Sequence, residues 1–294
     1  MNPARFLPLL TLSVALGLPA LRAQAPAGDQ LSFSYSHTAD NALSRGGAGA
    51  GDLGVDATRL AWRSGLPLSQ ATRATYGLTW NRFGFDRPAA LAVPDTLQEL
   101  SLDLGLSHRL NAQWLLIASV SPGLYGDLEG SSGDAFNAPA LLLASYAQNP
   151  SLAWTFGLRV DAFSERAVIP FVGVNWKFAP DWEFTLGVPR AGVSYQASPA
   201  LKLGLGVTAQ GGNFHVGRDP RQVAIAAGPR LADTKLDYHE IRVGLAADYK
   251  LSDLFSVNAE AGVVTDQKFD YYDRGYTLDG DAVAFFTLGL SARF

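Results

Sequence analysis

His37, His108, His215 and His239 are the only histidines, and the chain has no cysteine, so metal or acid-base chemistry would have to start from these four rings. His37 and His108 stand at the ends of predicted strands far apart in sequence, whereas His215 and His239 flank the stretch Gly217 to Lys235 and could meet across neighbouring strand tops. Two imidazoles are too few for a tetrahedral zinc site unless Glu240 turns toward them. Ser107 and His108 are adjacent, so on a strand they face opposite ways and do not form a nucleophile-base pair. Gly46 to Gly54 and Gly211-Gly212 lack the lysine of a phosphate loop and lead into no predicted helix, and they read as bends or bulges in strands and loops. No catalytic, cofactor-binding or metal residue is assigned, and a barrel hydrolase acting on lipid or peptide is retained only as a third reading.

The other chemistry-bearing side chains are charged, and they recur at every second position within apolar runs. Leu100, Leu102, Leu104 and Leu106 alternate with a face carrying Asp103 and Arg109; Leu152, Trp154, Phe156, Leu158 and Val160 with Arg159 and Asp161; Val172, Val174, Trp176 and Phe178 with Lys177. Trp182, Phe184 and Leu186 alternate with Glu183; Leu201, Leu203, Leu205 and Val207 with Lys202; Val243, Leu245 and Tyr249 with Glu240, Arg242 and Asp248; Val257, Ala259, Ala261 and Val263 with Glu260. Arg293 joins them on the last strand. A period of two is the signature of a strand with two unlike faces. These twelve charges, six of each sign, are the candidate lumen lining, and their balance predicts no bias toward anions or cations.

Such strands form either a soluble sandwich, apolar side inward, or a membrane barrel, apolar side toward lipid. Composition narrows the choice. Only 17% of the 294 residues are charged, 48% are hydrophobic and 30 are glycine, which excludes a disordered chain or a coiled coil. The formal net charge of −4 argues against a nucleic-acid binder. Residues 1–23 have the layout of a cleaved export signal: Arg5, an apolar stretch from Phe6 to Leu21, then small residues around Ala23. Removal of Arg5 and Arg22 would take the charge from −4 to −6.

Four observations favour the barrel, placed at residues 24–294. Tight connections at Leu110-Asn111-Ala112, Gln148-Asn149-Pro150, Ala179-Pro180-Asp181, Ser198-Pro199 and Ser252-Asp253 mostly alternate with longer ones, as short periplasmic turns alternate with outer loops. Trp114, Tyr146, Trp154, Phe178, Trp182, Tyr249 and Phe255 flank the tight turns, as an interfacial aromatic girdle would. Strands of roughly nine to eleven residues suit a tilted membrane crossing. The chain ends with alternating Phe286, Leu288 and Leu290 and closes on Phe294, which resembles the last-strand assembly signal of Gram-negative outer-membrane barrels. That resemblance implies a partner in the barrel-insertion machinery.

The expected fold is thus an all-β, antiparallel transmembrane barrel of about 14 strands (12 to 14) in the outer membrane. Its least secure part is the start, where Leu60 and Trp62 break the phase set by Val55 and Ala57. The segments Ser121 to Asp127, Gly173 to Trp182 and Ser194 to Pro199 resemble an uncharacterised family of outer-membrane β-barrel proteins; the resemblance implies location and fold and carries no catalytic residues or cofactor. The functional expectation is a channel or binding protein for small solutes, in contact with outer-membrane lipid. The alternative is a structural or surface-interaction barrel with a filled lumen. For the latter, the aromatic loop with Phe269, Tyr271, Tyr272 and Tyr276 is the candidate contact surface, and it also resembles a loop able to fold into the barrel mouth.

Overall fold

The computed structural model describes residues 28–129, 133–222 and 228–294. The expected export signal lies outside them. Among the described residues every regular element is a strand: β1 (Gln30–Arg45), β2 (Ala48–Pro67), β3 (Thr72–Asp86), β4 (Thr96–Arg109), β5 (Trp114–Val120), β6 (Gly123–Gly126), β7 (Phe136–Asn137), β8 (Ala140–Asn149), β9 (Leu152–Val160), β10 (Val168–Ala179), β11 (Trp182–Leu186), β12 (Arg190–Gln196), β13 (Leu201–Val216), β14 (Thr234–Lys250), β15 (Phe255–Tyr271), β16 (Tyr276–Gly280) and β17 (Val283–Arg293).

β5 and β6 are one rising strand broken at Pro122, and β16 and β17 are one descending strand broken after Gly280; both halves of each pair with the same neighbour, β4 and β15 respectively. With β7 a two-residue addition, the wall has 14 antiparallel strands. It closes on itself because β1 pairs with both β2 and β17, with Gln30 opposite Arg63 on one side and Arg293 on the other. Closure gives every described strand of the wall a neighbour on both sides, the condition for a sheet to stand in hydrocarbon.

The lower wall turns an apolar face outward. Leu78, Leu100, Leu142, Phe156, Leu205, Leu245 and Leu288 all stand exposed, Leu205 at 59% and Leu245 at 66%. A soluble protein could not present so broad a continuous apolar surface to water. The chain is an outer-membrane β-barrel.

Its tight turns are closed by side-chain caps: Asn111 Oδ1 accepts from the Gln113 and Trp114 amides, and Ser198 and Ser252 hydroxyls accept from the amides two and three residues on. Aromatic neighbours band that rim: Trp114 with Tyr146 at 4.9 Å between ring centroids, and Trp182 with Tyr195 at 4.8 Å.

The upper wall differs. β1 to β4 and β13 to β15 have 14 to 20 residues, well beyond what a crossing needs, whereas β11 and β12 have only 5 and 7. Above the apolar belt the outward face of the long strands becomes charged, with Asp52, Asp56, Arg82, Asp86 and Asp266 exposed, so these extensions stand clear of the hydrocarbon.

There β13 leaves the β12 side and leans across the barrel, until His215 pairs in parallel with Gly126 of β6. The bend sits at Gly211, whose φ of +127° and lack of a Cβ are both required. A Cβ would lie 2.0 Å from the Tyr238 carbonyl oxygen. The result is a smaller outer ring of nine strands, β1 to β4, β6 and β13 to β16, from which β8 to β12 are excluded.

The apparent phase break in β2 has its explanation here. Val55 and Ala57 point into the outer ring and are buried, whereas Leu60 on the opposite parity stands exposed toward lipid. One strand thus has its apolar face inward above Thr58 and outward below it. In β15 the same switch is made by a bulge, where Val264 pairs with Arg242 and Asp266 with Ile241.

Candidate functional site

The interior divides into a sealed apolar outer part and a polar part beneath it. Leu43, Leu53, Phe83, Leu97, Phe214, Leu236, Tyr238, Phe269 and Leu278, one or two from each ring strand but β6, form one cluster exposed by 1% or less. Phe83 and Phe85 of β3 reach across the axis to strands that are not their wall neighbours. Ring centroids are 5.1 Å apart for Phe83–Tyr238, 6.1 Å for Phe83–Phe214 and 5.4 Å for Phe85–Phe269. The β3–β4 connection completes the seal by folding Leu91, Ala92 and Val93 into this cluster. An Arg87–Asp95 ion pair at 2.7 Å closes the base of that segment, and the Tyr271 hydroxyl donates to the Ala92 carbonyl at 2.9 Å.

This corrects the expectation for the last outer loop. Phe269 and Tyr271 are fully buried and Tyr276 nearly so, while Tyr272 is half-buried and donates to the Phe163 carbonyl. The register of β15 with β16 turns these rings inward, where they fill the ring rather than face a partner. Phe269, Tyr271 and Tyr276 belong to β15 and β16, and only residues 272–275 form the turn between them, with 273–275 exposed.

Beneath the seal, inward side chains of opposite sign are joined. Arg242 holds Glu240 at 2.6 Å and also donates to Ser36 and Thr38 of β1, tying β14 to β1 across the interior. Glu240 also accepts from Tyr238 and Gln267. Arg159 pairs with Asp161 at 2.5 Å, and Asp161 accepts further bonds from Asn137 and Asn213. Asp103 accepts from Thr79 and Ser121, each at 2.7 Å. Lower down, Lys202 meets Glu183 and Arg190 meets Glu260, both at 3.1 Å.

Arg109, Lys177, Asp248 and Arg293 fall on the inward parity nearer the tight-turn end, where Lys202, Asp248 and Arg293 border a cavity of about 280 Å³. Phe286, Leu288, Leu290 and Phe294 stand outward and exposed.

Sequence reading missed inward Arg59, Arg63, Arg73 and Arg190, and one acid, Glu99. The first two were hidden by the phase switch in β2, Arg190 by the brevity of β12. With four arginines added against one glutamate, the inward charges of the described strands shift to a positive surplus rather than the expected balance. Arg59, Arg63, Glu99, Asp103, Arg159 and Asp161 all border a cavity of about 60 Å³ directly below the apolar seal.

The histidines do not converge on one site. His215 pairs with Asp233 at 3.1 Å, His239 with Asp237 at 3.2 Å and with Asp266 at 3.3 Å, and His108 bonds Thr72 at the turn end. His239 lies above the belt on the outer face of the ring. Burial there would lower its pKa, but the two carboxylates outweigh burial and hold it at about 9. In the connection after β13, a bond from Arg221 holds Asp219 at about 2, helped by the Leu231 and Arg221 amides. Among the described residues no group of three or more acids and histidines is placed to hold a metal ion.

A family model described as a domain of unknown function, DUF6268, matches residues 69–278, from the turn after β2 into β16. The chain belongs to the DUF6268 family. No curated protein matches it. Solved structures similar to this DUF6268 chain include the P. putida toluene transporter TodX, 10% identical, with a TM-score of 0.49 over 92% of this chain and 90% of that one. An outer membrane channel from Pseudomonas putida F1 is 13% identical, with a TM-score of 0.48 over 92% and 96%. A Pseudomonas aeruginosa FadL homologue is 11% identical, with a TM-score of 0.37 over 91% and 90%. What those proteins carry is said of them alone.

Proposed function

We propose that this DUF6268 barrel binds and passes small polar solutes through its charged lower lumen, with the apolar segment at its outer end as the barrier that must move for transit. The observation that carries this reading is the contrast along the axis. Below the seal the inward side chains are polar or charged and border two cavities; at the seal the same strands meet in an apolar core closed by Leu91, Ala92 and Val93. A barrel serving only as a scaffold has no need of this division. Its working environment is outer-membrane lipid, and the outward run ending at Phe294 is the stretch offered to the barrel-insertion machinery.

The test is planar-bilayer conductance of the intact protein against a variant in which residues 88–93 are replaced by a short glycine-serine link. Passage predicts rare, small current steps for the former and frequent, larger ones for the latter. If the variant folds, as shown by heat-modifiable gel mobility, and yet conducts no more than the parent, the lumen is a filled structural core and this proposal fails.

A further inference from the structure

We infer that the cavity of about 60 Å³ beneath the seal is a binding site for a small oxyanion that also carries a hydroxyl, such as protonated phosphate or a hydroxycarboxylate. This rests on the reading of the lumen as the solute path, and names the class of solute.

The argument is an inventory of donors and acceptors. Three arginines and three acids border the cavity, so charge alone does not choose a ligand. The acids, however, are occupied. Asp161 accepts from Arg159, Asn137, Asn213 and the Phe163 amide; Asp103 accepts from Thr79 and Ser121; Glu99 accepts from Ser101.

The arginines are not used up. Arg59 Nη1 and Arg159 Nε are both buried, and among the described residues neither has a hydrogen-bond acceptor. A buried donor without a partner is costly, and more so when it belongs to a cation. Two arginines that border one small cavity, each with a guanidinium donor left without a partner, match the two oxygens of a carboxylate or phosphate. The third orphan there is an acceptor, Asn213 Oδ1, which calls for a donor on the same ligand. An oxyanion with one hydroxyl meets all three, and the positive surplus on the inward face would draw it from the lower mouth.

Isothermal titration of the detergent-solubilised full barrel with inorganic phosphate, glycolate and acetate tests this without any need for conductance. Phosphate and glycolate should bind saturably, and acetate, lacking the hydroxyl, about tenfold more weakly. Arg59→Gln should weaken phosphate binding by about tenfold or more, while Arg82→Gln, exposed on the outward face of β3 and outside the lumen, should leave it unchanged.

Arg159→Lys retains the charge beside Asp161 and removes the Nε donor, so it should also weaken binding without unfolding the barrel. Absence of saturable binding to the parent, or equal binding to folded parent and Arg59→Gln, overturns the site; equal affinity for acetate and glycolate overturns the role of Asn213. A barrel that binds phosphate but stays silent in bilayers after plug replacement would uphold this site while refuting passage.

Discussion

Gly126 of β6 and His215 of β13 pair in parallel, and this one contact closes the outer ring of a sheet whose wall is otherwise antiparallel. The Asp127 amide donates to the His215 carbonyl at 3.1 Å, and the Asp127 carboxylate accepts from the Gly217 amide at 2.9 Å, so the closure is short but clasped at its end. A Cβ at Gly126 would lie 2.5 Å from the His215 carbonyl oxygen. Gly126→Val should therefore part β13 from β6 and destabilise the outer ring by roughly 2–3 kcal/mol, through lost backbone bonds and strain. Hydrogen exchange at residues 211–216 is the measurement: faster exchange there, with the lower wall still protected, is the expected result, and unchanged protection would mean the bridge does not hold the ring.

How far the architecture could be foreseen follows from this bridge. Every crossing strand was legible, because a wall between lipid and a polar interior imposes one period on Leu100 to Leu106 or Leu201 to Val207 and breaks it only at capped turns. The outer ring was not. Its inward face is apolar, so β2 and β3 carry two opposite patterns in succession, and Val55 beside Leu60 looked like noise when it marked the level at which the membrane ends. The lean of β13 depends on Gly211 approaching Tyr238, a contact between distant residues that no local pattern encodes. The charge balance failed for the same reason, since Arg59 and Arg63 sit on the strand whose phase switches.

The Arg242–Glu240 pair should be the most costly lumen interaction to break singly. Glu240 is fully buried, and Arg242 supplies its counter-charge while bridging to Ser36 and Thr38. Arg242→Met leaves the carboxylate buried without its cation, a loss on the order of 3–5 kcal/mol. The double variant with Glu240→Gln should recover much of it. The temperature at which the folded gel band converts to the unfolded one reports both; a single variant as heat-resistant as the parent would show that the pair is not what joins β14 to β1.

Lipid contact can be checked on the outward face. Leu245 is 66% exposed at mid-belt, so Leu245→Arg should cost about 2–4 kcal/mol in a bilayer and reduce insertion into vesicles. The same exchange at Asp56, which is exposed on the charged outward face above the belt, should cost far less. Equal effects at both positions would contradict the placement of the belt.

Acid-base titration of the outer ring gives a signed expectation. His239 has its pKa raised to about 9 in the folded chain, against an ordinary value near 6.5, because Asp237 and Asp266 favour its charged form over the opposing effect of burial. A raised histidine contributes stability that is fully present below the ordinary value and is lost as pH climbs through the folded one. The outer ring should therefore loosen between about pH 6.5 and 9. Asp219 acts oppositely: held down to about 2 by Arg221, it contributes above its ordinary value near 3.8 and loses that contribution only as pH falls toward 2. Hydrogen exchange of β14 and β15 followed across pH 6 to 10, after correction for the intrinsic rate, should show a rise that His239→Gln removes. A parent whose corrected exchange stays flat over that range would mean that the two carboxylates do not hold the proton on His239, and that Asp237 and Asp266 are balanced instead by Lys268 and solvent.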